Sequence, residues 1–292
     1  MTPASPHPIF GDLAGVAARH PAIITETRGR AWRELAVAAL LAALLVAGLW
    51  RVDFGVARVL AGVTKFGEIL WRMLPPTPGT LSRFLFYLHA LLETLGLALV
   101  GTLAAAVVAF PLGLLAARTV TGSRVLHLAL HRLFDIIRGI DRFVWALIFV
   151  RVVGLGPFAG ALAIAVSNIG AFGKLFSETL EAGDPKPVEG VLSTGGSKAM
   201  AVRFAMIPQV LPVMLSQVLY YFESDTRSAT VIGIVGAGGI GLVLYEEIRT
   251  LEWQHVACLI VMILITVAAI DALSSFVRRA FIGTDRRDPP AD

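Results

Sequence analysis

Residues 187–212 read PVEGVLSTGGSKAMAVRFAMIPQVLP, a polar, glycine-broken island between long apolar runs, and the fold is decided by what this island is. Pro187 suits a first helical turn, where its missing N–H costs nothing, and Gly195-Gly196 can take the left-handed conformation that closes a short helix. Ser197 then offers an N-cap to a second helix that passes through Lys198 and Arg203 into apolar sequence. The island is therefore predicted to be two short helices around a tight turn, at the edge of whatever the apolar runs build.

Those runs build a membrane domain. Of the 292 residues, 56% are hydrophobic and only 16% charged, with a mean hydropathy of +0.76. Such a chain is too apolar for an ordinary water-soluble domain. The net charge of +4 and pI near 9.6 do not point to nucleic acid, because the basic residues are scattered between apolar runs rather than gathered on one face. The single cysteine, Cys258, lies inside an apolar run. It rules out an intrachain disulfide and a CxxC pair, and reads as a small buried hydrophobe.

Taken in order, residues 1–33 carry Pro3, Pro6, Pro8 and Pro21 without a long apolar core, and are expected to be a cytoplasmic tail rather than a signal peptide. Residues 34–50 form an additional first span, since with Ala31 and Trp32 they reach roughly the 20 residues that cross ~30 Å of hydrocarbon. Over residues 51–83, Val59, Val63, Phe66 and Leu70 recur at helical spacing, which predicts an extracytoplasmic amphipathic connection lying on the membrane. Residues 84–277 make the main transmembrane domain. Its spans are read as Thr94 to Ala117, Phe143 to Val150, Val152 to Gly173, Phe204 to Phe222 and Val256 to Ile270, with a loop over 174–205. Residues 278–292 are a second cytoplasmic tail. The chain is thus expected to be an all-α integral membrane protein with six transmembrane helices. Six spans put both termini on one side, and the positive-inside rule makes that side the cytoplasm, together with the 187–212 island.

Several motifs can be weighed for chemistry. No Walker A loop is present: Gly173-Lys174 is the only Gly-Lys pair, and Leu175 follows it. Energy must therefore come from another polypeptide. Gly236, Gly238, Gly239 and Gly241 formally satisfy G-x-G-x-x-G, but no βαβ unit surrounds them, and glycines between spans suit close helix approach or a moving gate. His127 and His131 stand one helical turn apart without a third ligand in view, and read as an amphipathic cytoplasmic-side helix. No catalytic Ser/His/Asp or Cys/His grouping can be argued. The most informative charges are Glu223, Asp225 and Arg227. Nineteen residues at ~1.5 Å each separate Pro208 from Arg227, which puts the latter roughly 28 Å away, in the outer half of the membrane or at its rim. Intramembrane charges suggest a pathway or gate, and Glu223 with Arg227 can pair at i,i+4.

Two resemblances attach to these residues. The spacing of Glu189-Gly190-Val191, Gly195 and Ala205-x-Ile207-Pro208 resembles the EAA motif of ABC importer permeases, with Gly190 and Val191 in place of two alanines. The resemblance implies that Glu189, Gly190, Val191, Gly195, Ser197 and Lys198 form a coupling helix seated in a cleft of the ATPase subunit. The runs RSATVIGIVGAGGIG (227–241) and SNIGAFGKLFSETLE (167–181) look like the phosphonate-transport permeases, the PhnE type of the ABC importers, with a MetI-like, type I importer fold. RGIDRFVWALIFV (138–150) resembles a segment that in this family usually reads R-x-I-P, with Asp141 in place of the proline.

This second resemblance implies five family spans plus the additional first one, in a bacterial inner membrane. It implies a homodimer or paired permease, two cytoplasmic ATPase subunits that bind ATP and Mg, and an extracytoplasmic binding protein for phosphonate, phosphate or phosphite. Lipid is the remaining partner, nucleic acid is not one, and the chain itself carries no cofactor and no metal. The implied mechanism is alternating access, with Arg227, Arg138 and Arg142 giving positive potential along the route, and Glu223, Asp225, Gly236, Gly238 and Gly239 completing the pathway and gate. A permease for another solute such as methionine, an ion-driven secondary transporter and an intramembrane enzyme remain open at this point.

Overall fold

The computed structural model describes residues 21–282, and every regular element among them is helical. The tails expected over 1–33 and 278–292 lie in large part outside these residues. The chain divides into two units, Met1–Glu68 and Ile69–Asp292.

The first unit holds α1 (Pro21–Arg51), of which Trp32–Arg51 is long and apolar enough to cross a bilayer. The helix begins well before residue 34, because a helix needs no apolar sequence once it has left the hydrocarbon. After a turn at Asp53, held by the Arg58 guanidinium at 2.6 Å, α2 (Val56–Arg72) begins in this unit. Its Val59, Leu60, Val63 and Phe66 recur at helical spacing and, like nearly every residue of α2, are exposed.

In the second unit, α3 (Leu81–Ala116) starts at Thr80, whose side chain accepts from the Arg83 N–H at 3.3 Å. A short α4 (Arg118–Thr121) leads to the amphipathic α5 (Arg124–Gly139) and then to α6 (Arg142–Val153), capped by Asp141 through the Phe143 N–H at 2.8 Å. Asp141 therefore supplies the helix entry at this point of the chain. Next come α7 (Pro157–Glu181), α8 (Pro185–Ser193), α9 (Lys198–Ala201), a π-helical turn (Val202–Met206), α10 (Ile207–Gly233), α11 (Ile240–Arg249) and α12 (Trp253–Ile282). Five helical stretches among the described residues are long and apolar enough to span: Trp32–Arg51, Leu81–Ala116, Pro157–Glu181, Lys198–Gly233 and Trp253–Arg279. The helix α6, which carries the third span in the sequence, has twelve residues, about 18 Å of rise. It crosses only part of a bilayer on its own and packs along α7.

Helix packing follows from small residues. Gly101, Ala105, Ala109 and Gly113 recur every four residues on α3, so they form one buried stripe against α7. A Cβ at Gly101 would stand 2.8 Å from the Ala161 carbonyl oxygen, and one at Gly113 would stand 2.9 Å from Phe176 Cβ. These backbones are as close as their sequence allows. Large apolar residues on the other side of α3, among them Leu99, Val100, Leu103 and Val107, remain exposed, as lipid-facing side chains should. A second contact is made by Phe134 of α5, fully buried over Gly170 and Gly173 of α7.

Candidate translocation site and coupling loop

Three places along the second unit bear on function, and the centre holds the strongest chemistry. Asp225 on α10 has no exposed surface. Its Oδ1 accepts from Arg142 Nη1 at the start of α6; its Oδ2 accepts from the Thr102 hydroxyl of α3 at 2.7 Å and from the Asn168 amide of α7. Arg142 Nη1 also donates to Ser228 Oγ at 2.9 Å. Four helices are thus tied through one carboxylate. A buried charge is tolerable only when it is paired and hydrogen-bonded, and removing one partner of such a pair costs about 3–5 kcal/mol. Thr102 and Asn168 each lie well inside their helices, so Asp225 sits deep within the bundle rather than at an outer rim.

Beside this cluster is a cleft of about 190 Å³ lined by Arg138, Asp141, Arg142, Ser167, Asn168 and Tyr221, among others. It contains two of the three arginines the sequence nominates for an anion route. Arg227 is elsewhere. Two residues on from Asp225, it points to the opposite side of α10, where it meets Glu223 at 3.4 Å and Asp271 of α12 at 3.2 Å. Glu223 also accepts from Arg278 at 3.2 Å. The Glu223 and Arg227 pair is therefore present, and it fastens α10 to α12 instead of facing the cleft.

At one end of the unit, Gly236, Gly238 and Gly239 all have positive φ (91°, 79° and 74°), which makes the G-x-G-x-x-G run a tight loop. The loop is clasped from two sides. Gly236 O accepts from the Gly156 N–H at 2.9 Å, while Glu93 Oε1 and Thr94 Oγ1 of α3 accept from the Gly239 and Ile240 N–H groups at 3.1 and 2.7 Å. No strand accompanies it among the described residues, so it is a packing element and not a nucleotide fingerprint.

At the other end is the 187–212 island. Asp184 caps α8 through the Lys186 N–H at 3.0 Å, Gly195 has φ +84°, and the Gly195 and Gly196 N–H groups return to Leu192 O and Val191 O. Ser197 Oγ accepts from the Met200 N–H at 3.3 Å and starts α9. Glu189, Gly190, Gly195, Ser197 and Lys198 are exposed and Val191 is half-buried; no residue of α8 is buried. Val188 packs on the cluster that includes Phe176, Met206 and Val210.

Nearby, His127 Nδ1 donates to the Ala116 carbonyl at 2.7 Å, its ring lies 4.2 Å from that of His131, and His131 Nε2 meets Ser177 Oγ at 3.1 Å. Burial and the neighbouring His127 push the His131 pKa below its ordinary value. Lys174 donates to Asp135 at 2.7 Å, and this hydrogen bond lowers the Asp135 pKa from its ordinary value.

Residues 109–282 match the family of binding-protein-dependent transport system inner membrane components. The chain belongs to that family. As a permease it acts in the inner membrane and is no enzyme itself; membership implies an ATPase and a substrate-binding protein as partners. HtxC of Stutzerimonas stutzeri, described as a phosphite transport system permease, is 35% identical over 87% of this chain and 89% of its own. PtxC of the same organism, a phosphite transport system permease, is 30% identical over 86% and 90%. PhnE of Mycolicibacterium smegmatis, a phosphate-import permease, is 35% identical over 73% of this chain and 40% of its own. An inward-facing structure of the MetNI methionine ABC transporter shares the fold, with a TM-score of 0.60 at 21% identity over 69% of this chain and 99% of that one. The permease is thus an all-α, MetI-like membrane protein.

Sequence alone did not single out Thr102, Asn168, Ser167, Tyr221, Ser228, Glu93 or Asp271. A lone Asn or Thr inside an otherwise apolar run was the available signal for the first two. Nothing local marks the others.

Proposed function

We propose that this permease imports a phosphorus oxyanion, phosphonate or a relative such as phosphate or phosphite, by ATP-driven alternating access. The observation that carries the reading is the cleft with Arg138 and Arg142 in a chain whose 30–35% identical relatives are named for phosphite and phosphate. An anion entering a low-dielectric passage needs compensating positive charge, and a cleft lined by two guanidinium groups offers it.

The exposed helix around Glu189 to Gly195, with Ser197 and Lys198 after it, is the coupling element that sits on the ATPase. Positive-inside bookkeeping of Arg118, Arg124, Arg132, Lys174, Lys186 and Lys198 supports a cytoplasmic position for it. The 236–239 loop and the Gly154–Pro157 turn then close the extracytoplasmic end, where the binding protein delivers the anion. Two copies of the permease, two ATPase subunits holding ATP and Mg, and one binding protein complete the importer; this chain contributes no cofactor. Closure of the ATPases brings the two coupling helices together and parts the outer loops.

The test is gentle solubilisation, identification of copurifying proteins, and ATP-dependent uptake of phosphite and methylphosphonate in vesicles. An ATPase subunit arriving with the chain, together with ATP-dependent uptake, is the expected result. A chain that comes alone and transports without ATP would overturn the importer reading in favour of secondary transport.

A further inference from the structure

Arg142 is only partly used by the contacts already described. A guanidinium has five N–H donors in a rigid fork. One nitrogen, Nη1, serves both Asp225 and Ser228, while Nε and Nη2 hydrogen-bond to no described residue. Asp225 cannot swing to use them, because Thr102 and Asn168 hold its other oxygen from two further helices. Arg142 is therefore gripped at one corner, with its remaining edge unused, at the wall of the cleft.

The rest of the lining matches that edge. Arg138 is exposed and forms no hydrogen bond or ion pair with any described residue, and the hydroxyls of Ser167 and Tyr221 are likewise unpaired. Asp141 also lines the cleft, with Oδ1 committed to the Phe143 N–H. Asp141 and the Asp225 carboxylate paired with Arg142 balance the two guanidinium groups in formal charge, so what the lining offers an anion is unused N–H donors rather than a net charge.

We propose that Arg142 and Arg138 form a subsite inside the permease for a tetrahedral oxyanion, and that Asp225 is the positioning residue that presents the Nε and Nη2 edge of Arg142 to it. The inference rests on the importer reading above. Two parallel N–H donors from one guanidinium match two oxygens of such an anion, which a lysine ammonium does not reproduce. Ser167 and Tyr221 complete the cage by donating to, or accepting from, the remaining oxygens.

The experiment uses the permease with its ATPase partner in vesicles, with phosphite and phosphate as probes and binding protein in excess. Arg142→Lys keeps the charge and loses the fork; it is expected to reach wild-type amounts in the membrane and to lower uptake of both probes roughly tenfold, the worth of one charge-assisted hydrogen bond. Asp225→Asn, which leaves Arg142 charged but less firmly held, should lower uptake of both probes in the same direction. The double variant Arg142→Gln with Asp225→Asn removes both charges of the pair, so a purely structural pair would be rescued by it. Here the double variant should be present in wild-type amount and still copurify the ATPase, while uptake stays down by roughly tenfold, because the anion has lost its fork. Uptake by the double variant, or by Arg142→Lys, within about twofold of wild type would overturn the subsite, since one charge-assisted contact is worth more than that. Wild-type uptake by Asp225→Asn would overturn the positioning role. Copurification of the ATPase is read separately, so loss of the subsite leaves the importer reading standing.

Discussion

Two glycine-broken turns in this permease share a backbone conformation and little else. Gly195, after α8, has φ +84°, and an added Cβ there would meet nothing within 4 Å. Gly238, before α11, has φ +79°, and a Cβ there would stand 2.7 Å from Pro157 N and 2.8 Å from Glu93 Oε1. The first turn is bare and the second is clasped. Glycine is needed at both for its left-handed backbone, but only the second also needs the absence of a side chain. The bare, well-capped helix leaves its turn open, while the loop is held by hydrogen bonds from two sides.

The largest expected effect comes from breaking the clasp. Gly238→Ala combines left-handed strain with a clash against the Pro157 backbone, and should lower stability by about 3 kcal/mol or more, read as a fall in melting temperature of the purified permease. Gly195→Ala at the bare turn should cost about 1–2 kcal/mol, from strain alone. If the two substitutions cost the same, the contrast between the turns is wrong. Function should show the reverse order of sensitivity at this end. Glu189→Lys and Gly195→Asp are expected to leave the permease in the membrane while ATP hydrolysis continues without uptake, so intact coupling in either would move the ATPase contact away from α8.

The central charges sharpen the comparison further. Arg138→Ala should lower uptake roughly tenfold, the scale of one charged hydrogen bond. Arg227→Ala, which removes only partly exposed ion pairs to Glu223 and Asp271, should cost no more than about 1 kcal/mol of stability and change uptake little. Equal losses of uptake would return Arg227 to the anion route.

The smallest effect is a pH dependence. The folded-state pKa of His131 lies below its ordinary value of 6.5, so the unfolded chain takes up a proton there before the folded one does. Stability should be fully present above about pH 6.5 and fall as pH drops through that value. Glu181 and Glu178 oppose this shift, while His127 and Lys174 reinforce it. Thermal unfolding in detergent between pH 7.5 and 5.5 should show the slope, and His131→Gln should flatten it.

Much of the fold was legible in the sequence. Four of the five long apolar helices follow the uncharged runs, and the short-helix, glycine-turn, Ser-cap order of residues 187–198 is visible in its residue types, because local caps and turns are set by neighbours in sequence. For the fifth long helix, Lys198–Gly233, the apolar run ends at Phe222, since hydropathy stops at Glu223-Ser-Asp225 while the helix continues to Gly233. Charges end an apolar run but not a helix when other helices supply their partners. Those partners lie 57 to 123 residues away from Asp225, and no pattern in one sequence links Thr102, Arg142 and Asn168 to it. For the same reason Arg227 and Asp225, two residues apart, could not be assigned to opposite sides with different partners.

The π-helical turn at Val202–Met206 gives the long helix a mechanical meaning. It lies between the bare α8 and the 27-residue α10, and π turns are places where a helix can adjust without breaking. Asp225 stands 18 residues beyond Ile207, an arm of about 27 Å at 1.5 Å per residue. With the turn as fulcrum, a tilt of about 10° would sweep Asp225 through roughly 5 Å, well past the reach of any hydrogen bond. A push on α8 and the release of Arg142 would then be one stroke of a single lever.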